Sequence, residues 1–434
     1  MSLHWKILIG LAAGALWAIL SVSLGIGAFT VDWIKPIGDL FIKLLKLIAV
    51  PLVLFSVIKG VSSLTDIKQL GKIGLSTMFF YVCTTLLAVS IGLILVNTIE
   101  PGKRLTEESK QIIQTESGKL SSKDASKIAE KNEEAQKIKD VNVLEYAIDL
   151  IVPSNFFYSL TNDKLMLHII FFAVLFGIAI TQVPFEHTAG LRTFIDGMDS
   201  VILKMMMMIM KGAPIFVFAL MAGTIADMAG DNIQVALEIF KGLGWFSMTV
   251  LIGLGIMALI VYPLLVKVFA KRSPGKFLKG IGAAQALAFS SSSSAATLPV
   301  TMQCVHENLG VSEKTTSFVL PIGATINMDG TSLYQGVTVV FLAQFFGVEL
   351  SFGQQIMVIG MSTIASIGAP AVPSAGLVML IMVLESVGLN PAWIALVFPI
   401  DRLLDMCRTV VNVTGDAAVS TIIDRQLVAD KTSI

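Results

Sequence analysis

Long apolar stretches, separated by short polar ones, run through most of the chain. Five of them, at 5–27, 36–64, 73–99, 193–226 and 233–270, are long enough for helices that cross a membrane. A sixth, 143–181, is too long for one straight span and has polar interruptions at 153–155 and 162–164, so we expect it to zigzag. This pattern predicts an all-α polytopic membrane protein.

The last third of the chain combines apolar spans with polar breaks. Segments 277–305 and 360–387 have apolar ends but hold serines, other small residues and prolines in the middle. Such residues break a helix into two halves that meet at a tip. The span 317–345 is interrupted by Asn-Met-Asp-Gly-Thr at 327–331. A broken hairpin followed by a polar helix thus occurs twice, which indicates inverted repeats with a site near the midplane; two ordinary spans rich in proline and glycine are the alternative.

The last apolar stretch, 393–423, carries polar residues at helical spacing. Asp401, Asp405, Arg408, Asn412 and Asp416 are 4, 3, 4 and 4 residues apart, which at ~100° per residue places them within about 80° of one another. A charge inside a membrane is costly unless it is paired or faces a polar cavity, so these residues indicate a substrate or ion path. The alternative, a solvated helix end outside the membrane, is disfavoured by the apolar flanks.

Charge along the chain predicts its topology. Residues 101–142 are dominated by Glu, Lys, Ser and Gln, which indicates a polar insertion outside the membrane, partly disordered or loosely helical. Basic residues follow the stretches 36–64, 143–181 and 233–270, at Lys68, Lys72, Arg192 and within 267–279. The positive-inside rule then predicts cytoplasmic N- and C-termini and an extracellular insertion. The N-terminal stretch has no clear cleavage site, so we interpret it as a membrane helix rather than a removed signal peptide.

Composition supports this class and narrows the function. Of 434 residues 55% are hydrophobic and only 14% are charged, with a mean hydropathy of +0.80, whereas soluble domains carry roughly 25% charged residues. The net charge of zero argues against a nucleic-acid partner. The three cysteines and four histidines are scattered and predict neither a disulfide framework nor a metal cluster.

The polar groups of the last third suit a small acidic amino acid. Half-helix N-termini at the two tips present free N–H groups to an α-carboxylate. Arg408 can fork two hydrogen bonds onto a second carboxylate. Asp405 can take an ammonium group, and Thr409 and Asn412 can fix the orientation. Two carboxylates and one ammonium describe glutamate or aspartate.

Other polar groups suit a coupling cation. Asp329 and Asp416, with backbone carbonyls exposed where helices unwind, are hard oxygen ligands for an ion such as Na⁺. Tyr81, Thr84 and Thr85 form a small polar cluster in the third stretch. On the pattern alone, ordinary hydroxyl packing between helices is favoured for that cluster.

Enzyme functions fit the sequence poorly, and a channel is the stronger rival. The segment 413–416, Val-Thr-Gly-Asp, lacks the first glycine of an intramembrane aspartyl protease signature, and the serine run has no nucleophile-elbow context. Serine-lined tips can conduct ions. A channel has no evident use for a carboxylate-binding arginine beside an aspartate. We therefore expect a transporter that is not an enzyme.

These motifs resemble the glutamate transporter family, the dicarboxylate/amino-acid:cation symporters that include archaeal aspartate transporters and mammalian excitatory amino-acid transporters. The matches are the serine-rich tip 291–299, the segment 327–331, the second tip 366–376 and the Asp-x-x-Arg-Thr-x-x-Asn-x-x-x-Asp pattern of 405–416. The resemblance covers essentially the whole chain and is densest from 277 to 424.

The resemblance implies a homotrimer in the plasma or inner membrane with an elevator mechanism. It implies eight transmembrane helices and two re-entrant hairpins. Residues 1–72 and 143–226 would form a fixed scaffold, and 73–100 with 227–424 would form the moving transport domain. Residues 101–142 would be the extracellular insertion and 425–434 a cytoplasmic tail.

The resemblance also implies site residues, position by position. Substrate would contact Ser294, Thr331, Asp405, Arg408, Thr409 and Asn412, and the backbone of Pro370, Ala371 and Val372. One Na⁺ would bind Gly323, Asn327, Asn412 and Asp416. A second would bind Thr325 with the backbone of Ser366, Ile367 and Ala369. A third would use Tyr81, Thr84, Thr85, Asn327 and Asp329.

Departures from the family pattern bear on the coupling ion and the substrate. Gln335 stands where mammalian excitatory transporters have a glutamate tied to proton and potassium coupling, and glutamine cannot titrate. The resemblance therefore implies sodium coupling, with H⁺ coupling as the open alternative. Ser292 and Met406 stand where relatives carry a second arginine near the substrate. Arg408 favours an acidic substrate, because neutral amino-acid members lack it.

Overall fold

The structure is a computed structural model that describes residues 3–62, 72–104, 152, 154–161, 166–230, 232–367 and 375–432. All regular structure within these ranges is helical, which confirms the predicted all-α class. The predicted insertion 101–142 lies outside the described residues except for the short turn Pro101–Arg104.

The helices of eight or more residues are numbered here in chain order. They are α1 Leu3–Ser23, α2 Lys35–Ser62, α3 Lys72–Ile99, α4 Met166–Gln182, α5 Phe185–Lys211, α6 Ala213–Ala229, α7 Ile233–Ile256, α8 Tyr262–Phe269, α9 Gly282–Ser291, α10 Ser294–Gln303, α11 Glu313–Ile326, α12 Asp329–Phe345, α13 Phe352–Ile367, α14 Ala375–Ser386 and α15 Ile394–Thr432.

One predicted span is wrong, one is interrupted as expected, and the last helix is longer than predicted. The span predicted at 193–226 is wrong as a single helix, because α5 and α6 meet at Gly212 with a bend of 59°. Pro214 at the start of α6 lacks the backbone N–H that would continue α5. The span 143–181 is divided, as expected, into Phe156–Leu160 and α4. The last helix continues to Thr432, through most of the predicted tail 425–434.

Two of the three polar breaks predicted in the last third lie within the described residues, and both are present. Between α9 and α10, Ser292 has a left-handed φ of +52°, and the Ser293 hydroxyl accepts a hydrogen bond from the Ala296 N–H at 3.2 Å as the N-cap of α10. Between α11 and α12, Asn327 and Met328 interrupt the helix. The second tip lies between α13 and α14, so Ala369, Pro370, Ala371 and Val372 lie outside the described residues.

Two groups of helices pack around α15. In one group α1 packs on α6, and α2 packs on α4, α5 and α6. In the other, α3 packs on α12, α7 and α13, and α15 itself packs on α8, α9, α11 and α12. The groups meet where α6 contacts α15.

The outside of the described structure is apolar and its centre contains charge. Trp33, Leu75, Leu259 and Phe352 are 71%, 74%, 65% and 80% exposed, as expected for side chains that face lipid. By length and composition, three described helical stretches could cross a membrane, Trp5–Ser23, Gly74–Arg104 and Ile233–Phe269, and α5 with α6 would make a fourth. The eight transmembrane helices that the family resemblance implies remain a prediction.

Close contact between α1 and α6 depends on two glycines. A Cβ on Gly14 would lie 2.7 Å from the Phe218 carbonyl oxygen, and a Cβ on Gly10 would collide with that of Pro214. Gly10 and Gly14 are four residues apart and therefore lie on one face of α1. Small residues at this spacing let membrane helices approach closely.

We expect Gly14→Ala to lower the melting temperature of the purified protein in detergent. The added methyl meets rigid backbone, and overpacking of this kind costs about 1–3 kcal/mol. Thermal unfolding followed by intrinsic fluorescence measures the effect. Gly244→Ala in α7 is the matched control, because no atom lies within 4 Å of a Cβ there. Equal melting temperatures for both variants would contradict a tight contact between α1 and α6.

Candidate functional site

A buried network of ion pairs occupies the first half of α15. One nitrogen of Arg408, Nη2, donates to Asp401 Oδ1 and to Asp405 Oδ1, both at 2.8 Å. Arg402 Nη1 donates to the other Asp405 oxygen at 3.3 Å. The Arg408 side chain is fully buried and the other three are at most 9% exposed. The charged stripe predicted from the sequence therefore faces the protein interior and is not a solvated helix end.

Arg408 keeps donors available despite these two aspartates. Its guanidinium lies over the ring of Tyr334, 4.0 Å from the centroid. Its Nε and Nη1 atoms are buried and have no hydrogen-bond partner among the residues that the structure describes. A buried donor without a partner costs about 1–3 kcal/mol. The Nε and Nη1 hydrogens point to different edges of the guanidinium, so each of these atoms can donate separately to an oxygen of a ligand.

A second carboxylate, Asp329, lies at the start of α12 and joins three helices. The hydroxyls of Thr85 in α3 and Tyr262 in α8 each donate to it at 2.6 Å. All three residues are buried. Asp329 is therefore held by neutral hydroxyl groups and has no ion-pair partner in the described ranges.

A third polar centre lies where the break between α11 and α12 meets α15. Asn327 Nδ2 donates to Asp416 Oδ1 at 2.8 Å and to the Asn412 carbonyl at 3.1 Å. The Asn412 side-chain oxygen accepts from the Gly330 N–H at 2.8 Å. Asn327 Oδ1 is buried, and no described residue donates to it.

Two glycines permit this close approach. A Cβ on Gly323 would lie 2.5 Å from Asp416 Oδ1 and would also collide with the Tyr81 hydroxyl. A Cβ on Gly330 would lie 2.6 Å from the Arg408 carbonyl oxygen. The backbones of α11 and α12 can therefore reach the polar face of α15 only because both positions lack a side chain.

The oxygen atoms of this region are of the kinds that coordinate a small hard cation. They are carboxylate, amide, hydroxyl and carbonyl oxygens from Asp416, Asn327, Asp329, Thr85 and Tyr81. Within the described residues no three His, Cys, Asp or Glu side chains come together as a metal centre. Oxygen ligands without thiolate or imidazole suit a hard cation such as Na⁺, Mg²⁺ or Ca²⁺ rather than zinc or copper.

Two residues of α12 lie against the start of α14, close to Arg408. Ser294 is the first residue of α10 and is buried. Thr331 is buried beside Gly376 of α14, and Arg408 Nη1 lies near the same glycine. Gln335 Nε2 donates to the Gly376 carbonyl at 3.1 Å. The start of α14 thus lies against α12 and Arg408, next to the second tip.

Comparison with known proteins identifies the chain. A model of the sodium:dicarboxylate symporter family matches residues 3–426. The chain belongs to this family. It is 36% identical over 419 residues to excitatory amino acid transporter 3 of Homo sapiens, an alignment that covers 89% of this chain and 78% of the relative.

Two relatives from Caenorhabditis elegans are similarly close. An excitatory amino acid transporter is 35% identical over 436 residues, covering 93% of this chain and 83% of the relative. A putative sodium-dependent excitatory amino acid transporter is 34% identical over 414 residues, an alignment that covers 89% of this chain and 82% of the relative. The resemblance predicted from the sequence motifs is confirmed.

Within this symporter, the hydroxyls of several predicted site residues are used by their own helices. Thr409 donates to the Asp405 carbonyl at 2.8 Å, and Ser366 donates to the Thr363 carbonyl at 2.7 Å. Thr325 donates to the Ile322 carbonyl at 2.9 Å, and Thr84 donates to the Tyr81 carbonyl at 3.1 Å. Their oxygens still have lone pairs free to accept or to coordinate. Ile367 is the last residue of α13.

The structure adds three residues that the sequence did not indicate. Tyr334 lies under Arg408, Tyr262 donates to Asp329, and Arg402 donates to Asp405. Tyr334 and Tyr262 lie in apolar helices, where the sequence alone favours a packing role for a single tyrosine. Of the three, only Arg402 could have been recognised from the sequence as a candidate site residue, because it is a charged residue inside the last apolar stretch.

Asp401, the first of the five polar residues predicted on one face of the last helix, accepts a hydrogen bond from Arg408. Asp401 therefore belongs to the ion-pair network of α15.

We expect Asp401→Asn to lower the melting temperature, because removal of one partner from a buried ion pair costs about 3–5 kcal/mol. Arg408→Gln should do the same, and the double variant should lose less than the sum of the two. Thermal unfolding in substrate-free buffer measures all three. Strict additivity would show that Asp401 and Arg408 do not stabilise one another.

Proposed function

We propose that this protein is a secondary active symporter that moves L-aspartate and L-glutamate into the cell together with Na⁺. The observation that carries the proposal is the buried Arg408 guanidinium, which keeps two donors available for a carboxylate. The names of the relatives, excitatory amino acid transporters, and the family description, sodium:dicarboxylate symporter, agree with an acidic substrate and sodium.

The substrate site follows from the charges. The side-chain carboxylate of the substrate accepts a hydrogen bond from an unpartnered N–H of Arg408, and its ammonium donates to Asp405. The side chains of Thr331, Thr409 and Asn412 orient the bound substrate. The α-carboxylate accepts from N–H groups at Ser294 in the first tip and at Ala371 and Val372 in the second tip. Pro370 precedes them and has no N–H to donate.

The sodium sites use the neutral and acidic oxygens around this pocket. One ion binds Asp416 and Asn327 with the carbonyls of Gly323 and Asn412, where Asn327 Oδ1 has a free lone pair. A second binds Asp329 and Asn327 with Tyr81, Thr84 and Thr85. A third binds Thr325 and the backbone of Ser366, Ile367 and Ala369. Cation binding offsets the cost of burying Asp329 and Asp416 without a basic partner.

The transport cycle proposed here is an elevator movement in a homotrimer. Residues 1–72 and 143–226 serve as the fixed scaffold, and 73–100 with 227–424 serve as the moving domain that carries substrate and ions. The packing of α1, α2, α4, α5 and α6 against one another supports this division. The two broken hairpins enter the membrane from opposite sides, and the second one is the outer gate.

Uptake into liposomes under separate ion gradients tests the proposal. Purified protein in liposomes should accumulate labelled L-aspartate or L-glutamate against its gradient when Na⁺ is higher outside. A pH gradient alone should drive no accumulation, because Gln335 cannot carry a proton. Arg408→Cys is the control that should lose uptake of both substrates.

Each other outcome names a different mechanism. Accumulation driven by the pH gradient would replace Na⁺ coupling by H⁺ coupling. Equilibration without accumulation under either gradient would mean an ion channel or a facilitator. Wild-type uptake of acidic amino acids by Arg408→Cys would overturn the role given to Arg408.

We expect Asp416→Asn to raise the Na⁺ concentration for half-maximal uptake by about tenfold or more, because the amide has lost the charge that attracts the cation. Uptake at a series of Na⁺ concentrations measures it. Asp424→Asn is the matched control, since Asp424 is also buried in α15 but accepts from Ser312 and Thr315. Unchanged sodium dependence in Asp416→Asn would exclude the assigned role.

A further inference from the structure

Arg402 is a second buried arginine on the proposed substrate face of α15. It lies one turn before Asp405, is 7% exposed, and its Nη1 donates to Asp405 Oδ2 at 3.3 Å. Its Nε is buried and has no hydrogen-bond partner in the described part of the chain. A permanent charge buried in this way inside a membrane protein requires a reason beyond packing.

The charges of the network show what Arg402 adds. Asp401 and Asp405 contribute two negative charges, and Arg402 and Arg408 contribute two positive ones. Arg408 alone already contacts both aspartates, through one nitrogen. Arg402 is therefore not needed to give either carboxylate a partner. Instead, Arg402 makes the network electrically neutral. Without Arg402, the three remaining side chains would carry a net charge of −1.

The net charge of this network affects the binding of acidic and of neutral amino acids differently. An acidic amino acid arrives with a net charge of −1, and a neutral one arrives with none. Both place an ammonium near Asp405, where Arg402 holds one of the two oxygens. Competition at Asp405 therefore affects both ligands alike, whereas the long-range attraction of Arg402 acts only on the acidic one.

We propose that Arg402 is a specificity-determining residue, which makes the pocket neutral before binding and so favours an anionic amino acid over its neutral isostere. The inference rests on the proposed substrate class. It assigns to Arg402 a role separate from that of Arg408: Arg408 forms the hydrogen bonds to the side-chain carboxylate, and Arg402 acts through its charge and through Asp405.

The test compares two isosteres, L-aspartate and L-asparagine, in saturating Na⁺. Calorimetric titration of the detergent-purified full chain gives the Kd of aspartate, and competition against it gives the Ki of asparagine. The readout is the ratio of the Ki of asparagine to the Kd of aspartate. In Arg402→Gln and Arg402→Met this ratio should fall about tenfold, the size expected for one partly screened charge.

Charge-conserving and distant variants separate this role from a structural one. Arg402→Lys should keep the ratio within about threefold of wild type, because the charge remains. Arg192→Met should leave it unchanged, since Arg192 in α5 donates to the Ile180 carbonyl at 3.0 Å, away from α15. General loss of folding would weaken both ligands together and leave the ratio constant.

The outcomes also distinguish this inference from the proposed function. If wild type binds aspartate and the ratio stays constant in Arg402→Gln and Arg402→Met, the role of Arg402 is overturned. If wild type binds neither aspartate nor glutamate in Na⁺, the proposed function itself fails. Arg402→Gln keeps an amide donor for Asp405, so it tests the charge without removing the hydrogen bond.

Discussion

The burial of Arg408 is the constraint on which the centre of this structure depends. A guanidinium cannot lose its proton in a protein, so its charge must be matched where it lies. Asp401 and Asp405 match it from the same helix, and Tyr334 covers one face of the guanidinium from α12. Tyr334 thereby connects the buried charges of α15 to α12, while Nε and Nη1 of Arg408 keep no hydrogen-bond partner among the described residues.

The contact between α12 and α15 links the proposed substrate groups to the proposed ion groups. Asn412 takes part in both: its side-chain oxygen accepts from Gly330 beside Arg408, and its carbonyl accepts from Asn327, which also donates to Asp416. A cation that draws on Asn327 or on the Asn412 carbonyl would therefore act on the helix that carries Arg408. Such a shared element is what coupling between two binding sites requires.

Glycine makes this linkage sterically feasible. At Gly323 and Gly330 the backbone itself approaches the polar face of α15, and any side chain would meet Asp416, Tyr81 or the Arg408 backbone. The apolar surface and the polar centre thus have the same physical origin. Lipid cannot hydrogen-bond to charges or to broken helix ends, so they are gathered inside and pack at short range.

The sequence by itself determined the helical class, the polar face of α15, the breaks at Ser292 and Asn327, and the family. These features are local: helical spacing, proline and serine chemistry, and apolar length act within a few residues. The bend at Gly212 and the partners Tyr334, Tyr262 and Arg402 were decided only by the tertiary structure. Which distant side chain meets a buried charge depends on how the helices pack, and neither periodicity nor spacing along the chain records that geometry.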